Sequence, residues 1–364
     1  MSGTWGNSIK ISIFGESHGK AIGINIDGLK AGILLDINYI RREMQRRAPG
    51  NSEFSTPRRE GDEFEILSGY FEGRTTGTPL CAVIYNTDKK SGDYSKLKNI
   101  MRPSHGDFTG YVKYNGFNDY RGGGHFSGRL TAPLVFAGAI CKQLLNSRGI
   151  TIASHIKSIG EEQDESFDPV AIEAGISEIL ASKAFPVLNA ESEVLMKEVV
   201  ARAKVQRDSV GGIVETAILG VEPGIGEPFF DSVESTLAHL IFSIPGVKGL
   251  EFGAGFDISR MHGSGAKDEY YMEDGKVRTY SNNNGGILGG ITNGMPLIFR
   301  TAFKPTASIG MLQRTIDMEN KVNTTIEVQG RHDPCIVPRA VPVVEAVAAI
   351  ALLDLIMQSR QKKL

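Results

Sequence analysis

The chain has 364 residues, of which 41% are hydrophobic and 23% charged, and its formal net charge is −2. This balance is typical of a globular protein with one large domain or two ordinary ones, and it excludes a general electrostatic attraction to nucleic acid or anionic membranes. The three cysteines are far apart, which argues against a disulfide scaffold or a zinc site, and the N-terminus lacks an apolar signal core, so we expect a cytoplasmic protein.

The first third of the chain is predicted to be rich in strands. Alternating apolar residues predict strands over 7–14 and 21–27, joined by the polar tip Gly15-Glu16-Ser17-His18-Gly19. Asp36 is a good N-cap for a helix over 37–48, which Pro49-Gly50 ends. Further strands are predicted over 63–68 and 80–85.

The stretch from Arg102 to Thr131 is the most informative part of the chain. It contains His105, His125, three arginines and the triple glycine Gly122-Gly123-Gly124, and a helix pattern over 132–146 follows it. Glycine lets the backbone approach a ligand closely, and the N-terminus of a helix attracts anions. The stretch therefore predicts a site for a ligand that is planar, phosphorylated or both.

The rest of the chain mixes strands and helices. Strands outnumber the strand–helix alternations of a doubly wound sheet, and no segment has a linker composition, so we expect one α+β domain over 1–364. The apolar stretch Val341 to Met357 contains Glu345 and Asp354, which indicates a buried or interface helix and no membrane span. The predicted strands are 151–159, 212–219, 247–252, 286–291, 297–303 and 324–328, and the predicted helices are 169–182, 190–207, 232–242 and 339–359, with a polar insertion over 262–284.

Two catalytic motifs are rejected for the tip at Gly15–Gly19. A nucleophile elbow needs several strands upstream, and only one strand precedes this tip. A phosphate loop needs four residues between its glycines, and here there are three. What remains is His18 on a turn. A lone histidine is more often structural, but His18, His105 and His125 all lie on glycine-flanked turns, which favours a functional interpretation.

Anion-binding groups are spread along the chain. Lys304-Pro305-Thr306-Ala307-Ser308 is either an anion-binding loop after a strand or an ordinary proline turn. Asp333 is either a turn residue or a proton acceptor. Arginines cluster on the helix over 37–48 and in the loop after it, where anion binding is favoured over a solvated face; they are Arg41, Arg42, Arg46, Arg47, Arg58 and Arg59. No spacing indicates a metal site or a nucleic-acid surface.

Several short segments form a distinctive set: GESHG, RRAPG, TPRRE, DYRGGGHFSGR, GGILGGITNG, FKPTASI and GRHDPCIVPRAVP. They extend from about Asn7 to Glu345, and together they resemble the chorismate synthase family. The resemblance implies a compact β-α-β sandwich and a homotetramer in aromatic amino acid biosynthesis (the shikimate pathway). It also implies 1,4-elimination of phosphate from 5-enolpyruvylshikimate 3-phosphate to give chorismate, with reduced FMN required but no net redox change.

The resemblance also implies roles for single residues. His18 would be the general acid on the departing phosphate, and His105 would protonate or stabilise the reduced flavin. Asp333 would be the acid near flavin N5, and Ser17 and Ser127 would supply supporting hydroxyls. Flavin contacts are implied for His125, Phe126, Ser127, Pro245, Gly246, Gly289, Lys304, Pro305, Thr306, Ala307, Ser308 and Arg331. Binding of the anionic groups of the substrate is implied for Arg41, Arg47, Arg121, Arg129 and Arg339. Arg47 is also the position that the family links to binding of a nicotinamide phosphate.

The chain departs from the family pattern at two places. Many members read GGGRSSAR where this chain reads GGGHFSGR, so His125 and Phe126 replace an arginine and a serine. Many members also carry a basic residue at the position of Glu53. Since the chain has no G-x-G-x-x-G unit for dinucleotide binding, we expect it to obtain reduced flavin from an external flavin reductase, with NADPH as the other candidate electron source.

Two other functions remain open from the residues alone. The first is an FMN-dependent oxidoreductase with net hydride transfer, in which nicotinamide oxidation would track product formation. The second is a non-enzymatic anion-binding module, which would bind phosphorylated ligands without releasing phosphate.

Overall fold

The computed structural model describes residues 3–50, 61–87, 98–328 and 333–362 of the chain. Two five-stranded antiparallel sheets form its outer layers, with strand orders β1-β2-β3-β7-β4 and β11-β16-β10-β8-β9. Four two-stranded hairpins complete the strands of the described ranges. In chain order the strands are β1 (Thr4–Trp5), β2 (Lys10–Gly15), β3 (Ala21–Asp27), β4 (Phe64–Ser68), β5 (Tyr70–Phe71), β6 (Arg74–Thr75), β7 (Leu80–Tyr85), β8 (Thr151–Ile159), β9 (Glu162–Gln163), β10 (Gly212–Leu219), β11 (Val247–Phe252), β12 (Tyr270–Glu273), β13 (Lys276–Thr279), β14 (Ile287–Leu288), β15 (Ile291–Thr292), β16 (Leu297–Phe303), β17 (Leu312–Asp317) and β18 (Val322–Glu327).

The helices of the described ranges are α1 (Ile37–Arg47), α2 (Asp107–Lys113), α3 (Thr131–Asn146), α4 (Ile176–Ser182), α5 (Ala190–Val205), α6 (Val233–Ile241), α7 (Gly263–Ala266) and α8 (Val337–Lys362). Helices α3 and α8 lie between the two sheets, whereas α4 packs on β8 through a separate apolar cluster. The apolar helices α3 and α8 pack on each other, α3 against β3 and α8 against β8 and β10. Gly138 allows this contact, because a Cβ there would lie 2.3 Å from the Cβ of Ala346. The predicted α+β fold and β-α-β sandwich are confirmed; the domain limits 1–364 stay a prediction.

Helix α8 is buried, as its sequence indicates. Val337–Ser359 is long and apolar enough to cross a membrane, but 94% of its most apolar window lies inside the protein. Its two acids are buried with partners. Asp354 accepts hydrogen bonds from the backbone N–H groups of Ser8 (2.6 Å) and Ile9 (2.7 Å), which attaches the start of the first sheet to the helix.

A buried cluster of four charges joins α1, α3 and α8. Arg46 donates to Glu43 (3.0 Å) and to Glu345 (2.7 Å), and Lys142 Nζ donates to the same two carboxylates at 2.8 and 2.7 Å. Although burial opposes ionisation, Arg46 and Lys142 lower the pKa of Glu345 to about 2. The cluster fixes the helices whose neighbouring residues, Arg47 and Arg339, reach the candidate site.

Several predicted elements differ from the structure. No helix or strand was predicted over 102–131, but the segment contains α2 and two short 3₁₀ turns. The predicted helix over 169–182 is reduced to α4, and the strand over 286–291 is a small hairpin, because Gly289 and Gly290 both have positive φ. The insertion over 262–284 contains α7 and the β12–β13 hairpin. Strand β17 was missed because its residues form an exposed hairpin with β18 and carry no continuous apolar face.

Candidate active site

A cavity of about 460 Å³ lies where α1, the 102–131 segment, the loop after β16 and the start of α8 meet. Among the described residues that line it, five side chains are cationic and one, Asp333, is acidic. One part of its wall is apolar, from Phe126, Ile244, Phe303, Ile336, Ala340 and Val343. The polar and backbone lining comes from Arg47, Arg102, Ser104, His105, Gly106, Gly122, Ser127, Gly128, Arg129, Thr131, Pro245, Gly246, Lys304, Pro305, Thr306, Ala307, Ser308, Asp333 and Arg339.

The tip of the first hairpin packs directly on the triple glycine. Ser17 N donates to the carbonyl of Gly124 at 3.1 Å, and His18 lies against Gly122, which lines the cavity. A Cβ at Gly122 would be 2.1 Å from Cε1 of His18, and Gly122 has φ 57°. Ser17 and His18 are 0% and 5% exposed, and among the described residues Ser17 Oγ has no hydrogen-bond partner. Glycine is therefore required where these two distant segments meet.

His105 lies in a network of charged groups. Its Nδ1 is 2.6 Å from Oδ1 of Asp107, whose carboxylate also accepts from Arg102 Nε (2.7 Å) and Nη2 (2.8 Å). Arg102 Nη1 reaches Ser308 Oγ at 3.1 Å, so the network extends to the loop after β16. Although burial raises it, the pKa of Asp107 is held far below its ordinary value by the hydrogen bonds from Arg102 and His105. The carboxylate is therefore ionised at neutral pH.

The loop from Lys304 to Ser308 forms one side of the cavity together with two other segments. Lys304 N donates to the carbonyl of Gly246 at 2.9 Å, and Thr306 Oγ1 donates to the carbonyl of Asp333 at 3.0 Å. Lys304 Nζ donates to the carbonyl of Ser104, which connects the loop to the turn before His105. The loop is therefore held in place by segments far apart in sequence.

Three arginines, Arg47, Arg129 and Arg339, form another part of the lining. Arg47 and Arg129 both bind the buried carboxylate of Asp62, and Arg339 binds Asp333 at 2.6 Å and the carbonyl of Arg47 at 3.2 Å. Burial lowers the pKa of Arg47 to about 10, helped by the charges of Arg339 and Arg129 and opposed by Asp62, so it stays charged at neutral pH. Burial alone would raise the pKa of Asp62, but the two guanidinium groups lower it. These side chains form a fixed cationic surface, which is suited to phosphate and carboxylate groups.

Not every residue named from the sequence lines this cavity. Arg41 is half exposed and lies 4.0 Å from Glu63, and Arg121 is bound by Asp119 at 2.7 Å. Nδ1 of the exposed His125 donates a hydrogen bond to the carbonyl of Gly15 at 2.8 Å. Gly289 lies in the β14–β15 hairpin, outside the lining residues. Glu53, Arg58, Arg59, Arg331 and His332 lie outside the described residues.

Sequence reasoning missed the acids behind the arginines. Asp62 and Asp107 are both buried and both bind cavity arginines, and Arg102 itself was not assigned to the site. The only sequence signal was the closeness of Asp107 to His105 and Arg102 in RPSHGD. For Asp62 there was none, because its partners are 15 and 67 residues away. In the described ranges no group of His, Cys, Asp and Glu side chains could hold a metal ion.

The arrangement combines a cationic surface, the imidazole of His105 and an apolar wall, while Ser17 and His18 lie behind Gly122 and are not among the lining residues. The cations can bind several anionic groups at once, and the apolar wall can hold a planar ring. A histidine can exchange protons near neutral pH. The site is thus suited to acid–base chemistry on a multiply anionic ligand beside an aromatic cofactor.

Comparison with known proteins agrees with this description. A family model described as "Chorismate synthase" matches residues 9–357. A protein named "Chorismate synthase" from Dehalococcoides mccartyi is 45% identical over 359 residues, covering 99% of this chain and 98% of the relative, and one from Thermococcus kodakarensis is 45% identical over 98% of each chain. A solved structure described as "Crystal Structure of Chorismate Synthase" superimposes with a TM-score of 0.74 at 29% identity, covering 97% of this chain and 93% of the other.

Proposed function

Because the chain belongs to the chorismate synthase family and is a carbon–oxygen lyase of the shikimate pathway, we propose its reaction in full. It removes phosphate and a C–H proton from 5-enolpyruvylshikimate 3-phosphate by 1,4-elimination and releases chorismate, with reduced FMN bound and no net redox change. The single observation that carries this proposal is the convergence of His105, Asp333 and the His18–Gly122 contact on one arginine-rich cavity.

The substrate would be bound by the three arginines Arg47, Arg129 and Arg339. It carries one phosphate and two carboxylates, and guanidinium groups match the geometry of both. Arg47, Arg129 and Arg339 already point into one space and are fixed by Asp62 and Asp333. Their geometry is therefore formed before the ligand arrives, which reduces the ordering cost of binding. We do not extend this role to Arg41 and Arg121.

His18 would be the general acid that protonates the departing phosphate. Phosphate leaves more easily when protonated or held by cations, and an imidazole titrates in the right range. His18 is almost fully buried and its ring is confined by Gly122, so its position relative to the cavity is defined. The buried hydroxyl of Ser17 is next to it, and Ser127 lines the cavity as a further hydroxyl.

The described residues also fit reduced FMN, against the apolar wall and the Lys304–Ser308 loop. Phe126, Ile244, Phe303 and Ile336 offer an apolar surface for the ring, and the Lys304–Ser308 loop offers a lysine and hydroxyls for polar groups of the cofactor. The chemistry that the reduced flavin supplies when bound is electron density for cleavage of the C–O bond. His105 would hold or donate a proton to the flavin, and Asp333 would be the acid near N5. The contact proposed for Pro245 and Gly246 agrees with their place in the lining.

The remaining proposals concern the cellular setting. We propose a cytoplasmic homotetramer that receives reduced flavin from an external reductase, with NADPH as an alternative electron source through the position of Arg47. His125 and Gly289 do not line the cavity, and Arg331 lies outside the described residues, so the flavin contacts expected there stay predictions.

The test is anaerobic phosphate release from 5-enolpyruvylshikimate 3-phosphate with chemically reduced FMN, with and without NADPH. The proposal expects many phosphates per flavin, with no NADPH consumed in proportion to product. Consumption of one NADPH per product would indicate an oxidoreductase. Tight binding of the phosphorylated ligand without phosphate release would indicate an anion-binding module.

A further inference from the structure

We propose that Asp107 is a positioning residue that, together with Arg102, fixes His105 in the tautomer with hydrogen on Nδ1 and leaves Nε2 for the ligand in the cavity. The proposal rests on the proposed role of His105 in the reaction. Asp107 is not a lining residue, so it would act through His105.

The hydrogen-bond geometry determines the tautomer. Nδ1 of His105 is 2.6 Å from Oδ1 of Asp107 and 3.1 Å from Nη2 of Arg102. An ionised carboxylate only accepts, and a guanidinium only donates. If Nδ1 carried no hydrogen it could accept from Arg102, but two acceptors would then face each other at 2.6 Å. A hydrogen on Nδ1 removes that repulsion and gives a short charge-assisted bond, while Arg102 Nη2 donates to Oδ1 of Asp107 at 2.8 Å and not to Nδ1.

The surroundings keep Asp107 able to accept. Its carboxylate accepts hydrogen bonds from Nε and Nη2 of Arg102 and, at 3.1 Å, from the backbone N–H of the same residue. Both residues are buried, at 8% and 5% exposure, so water competes little with these bonds. With its carboxylate oriented by three donors from one residue, Asp107 presents Oδ1 to His105 in a fixed direction.

The other edge of the ring lies towards the glycine segment. A Cβ at Gly123 would be 3.0 Å from Cε1 and 3.1 Å from Nε2 of His105. The preceding glycine, Gly122, and His105 itself both line the cavity. Since Nδ1 is occupied by Asp107, Nε2 is the ring nitrogen through which His105 exchanges a proton with a ligand. Arg102 also binds Ser308, so the same network sets the distance between His105 and the loop proposed to hold the flavin.

The test is a double-mutant cycle of Asp107→Asn and His105→Ala in the full chain. An asparagine can turn its amide so that it donates to Nδ1, which favours the wrong tautomer. We expect Asp107→Asn to lower kcat about 10²-fold, the range of a lost acid–base group, and to change kcat less than about threefold when His105 is already alanine. Asp107→Glu, which keeps the carboxylate, should recover part of the activity. Turnover is measured anaerobically with saturating reduced FMN.

The matched control is Asp268→Asn. Asp268 is also 8% exposed and also accepts several hydrogen bonds, including Asn283 N at 2.7 Å and Ser281 Oγ at 2.7 Å, but it does not line the cavity. It should lower stability without changing kcat. An equal loss of kcat from Asp107→Asn in both backgrounds would show that Asp107 has only a structural role and would overturn the proposal while leaving the function intact. If His105→Ala alone kept full kcat, both the role of His105 and this proposal would fail.

A second measurement needs no Asp107 variant. In the wild-type chain with ring-¹⁵N histidine, NMR at a pH where His105 is neutral should show the hydrogen on Nδ1, with the signals assigned by their loss in His105→Ala. A hydrogen on Nε2 would overturn the proposal even if Asp107→Asn failed to fold.

Discussion

Gly122→Ala should displace the ring of His18 without removing any of the side chains to which a function is proposed. The new Cβ would be 2.1 Å from Cε1 and 2.2 Å from Nδ1 of His18. Because carbon atoms pack at about 3.5–4.0 Å, the ring must move by about 1.5 Å. A misplacement of about 1 Å can lower a rate about 10²-fold, so we expect kcat to fall by at least that factor. The φ of 57° adds about 1–2 kcal/mol of backbone destabilisation.

The assay is anaerobic phosphate release with saturating reduced FMN, with urea unfolding as a measure of stability. Gly149→Ala is the matched control, because Gly149 has φ 74° and no atom within 4 Å of the new Cβ. Gly149→Ala should lower the free energy of unfolding by the backbone contribution alone and leave kcat unchanged. If Gly122→Ala kept wild-type kcat while folded, the position of His18 would not limit the reaction, and its role as general acid would be refuted.

Three further predictions concern stability. Glu345→Ala leaves buried cations without one of their two carboxylates and should cost about 3–5 kcal/mol in urea unfolding. Asp354→Ala removes the acceptor of buried backbone N–H groups and should cost on the order of 3 kcal/mol; a loss below about 1 kcal/mol would show that water replaces it. Burial opposes charge on His155, but its hydrogen bonds to Asp164 and Glu215 raise its pKa in the folded protein. Protonated His155 therefore stabilises the fold fully below the unfolded-state pKa of about 6.5, and this stabilisation is lost as the pH rises through the raised folded-state pKa. The free energy of unfolding should therefore fall on the alkaline side of pH 6.5 in wild type, and a His155→Gln chain with the same slope would contradict this.

The fold was predictable where the pattern of apolar residues is local. The hairpin of β2 and β3 and the capped helix α1 follow from alternation and from Asp36, whose side chain accepts from Tyr39 N at 3.0 Å. Prediction failed where tertiary packing decides the structure. No helix was predicted at the position of α2, which contains Gly110 and follows Gly106, and both glycines make room for the ring of Phe126.

The candidate site was predictable as a set of residue types but not as a set of pairs. His105 was singled out because three histidines lie on glycine-flanked turns, and the Lys304–Ser308 loop because a lysine and two hydroxyls follow a strand, with an ordinary proline turn as the alternative. The arginines of α1 look alike in sequence, yet Arg46 turns to Glu345 while Arg47 reaches the cavity. One position on a helix rotates the side chain by about 100°, and the acids that receive it come from distant segments. Sequence patterns carry no record of such partners.

The central claim is that one cavity holds the substrate and the reduced flavin between the arginines and the Lys304–Ser308 loop. A crystal structure of this chain with FMN and 5-enolpyruvylshikimate 3-phosphate tests it most directly. We predict both ligands in this cavity, the flavin against the Lys304–Ser308 loop and the substrate phosphate within hydrogen-bond reach of His18, about 2.6–3.2 Å. Ligand density outside this cavity, or a phosphate separated from His18 by protein, would contradict the account.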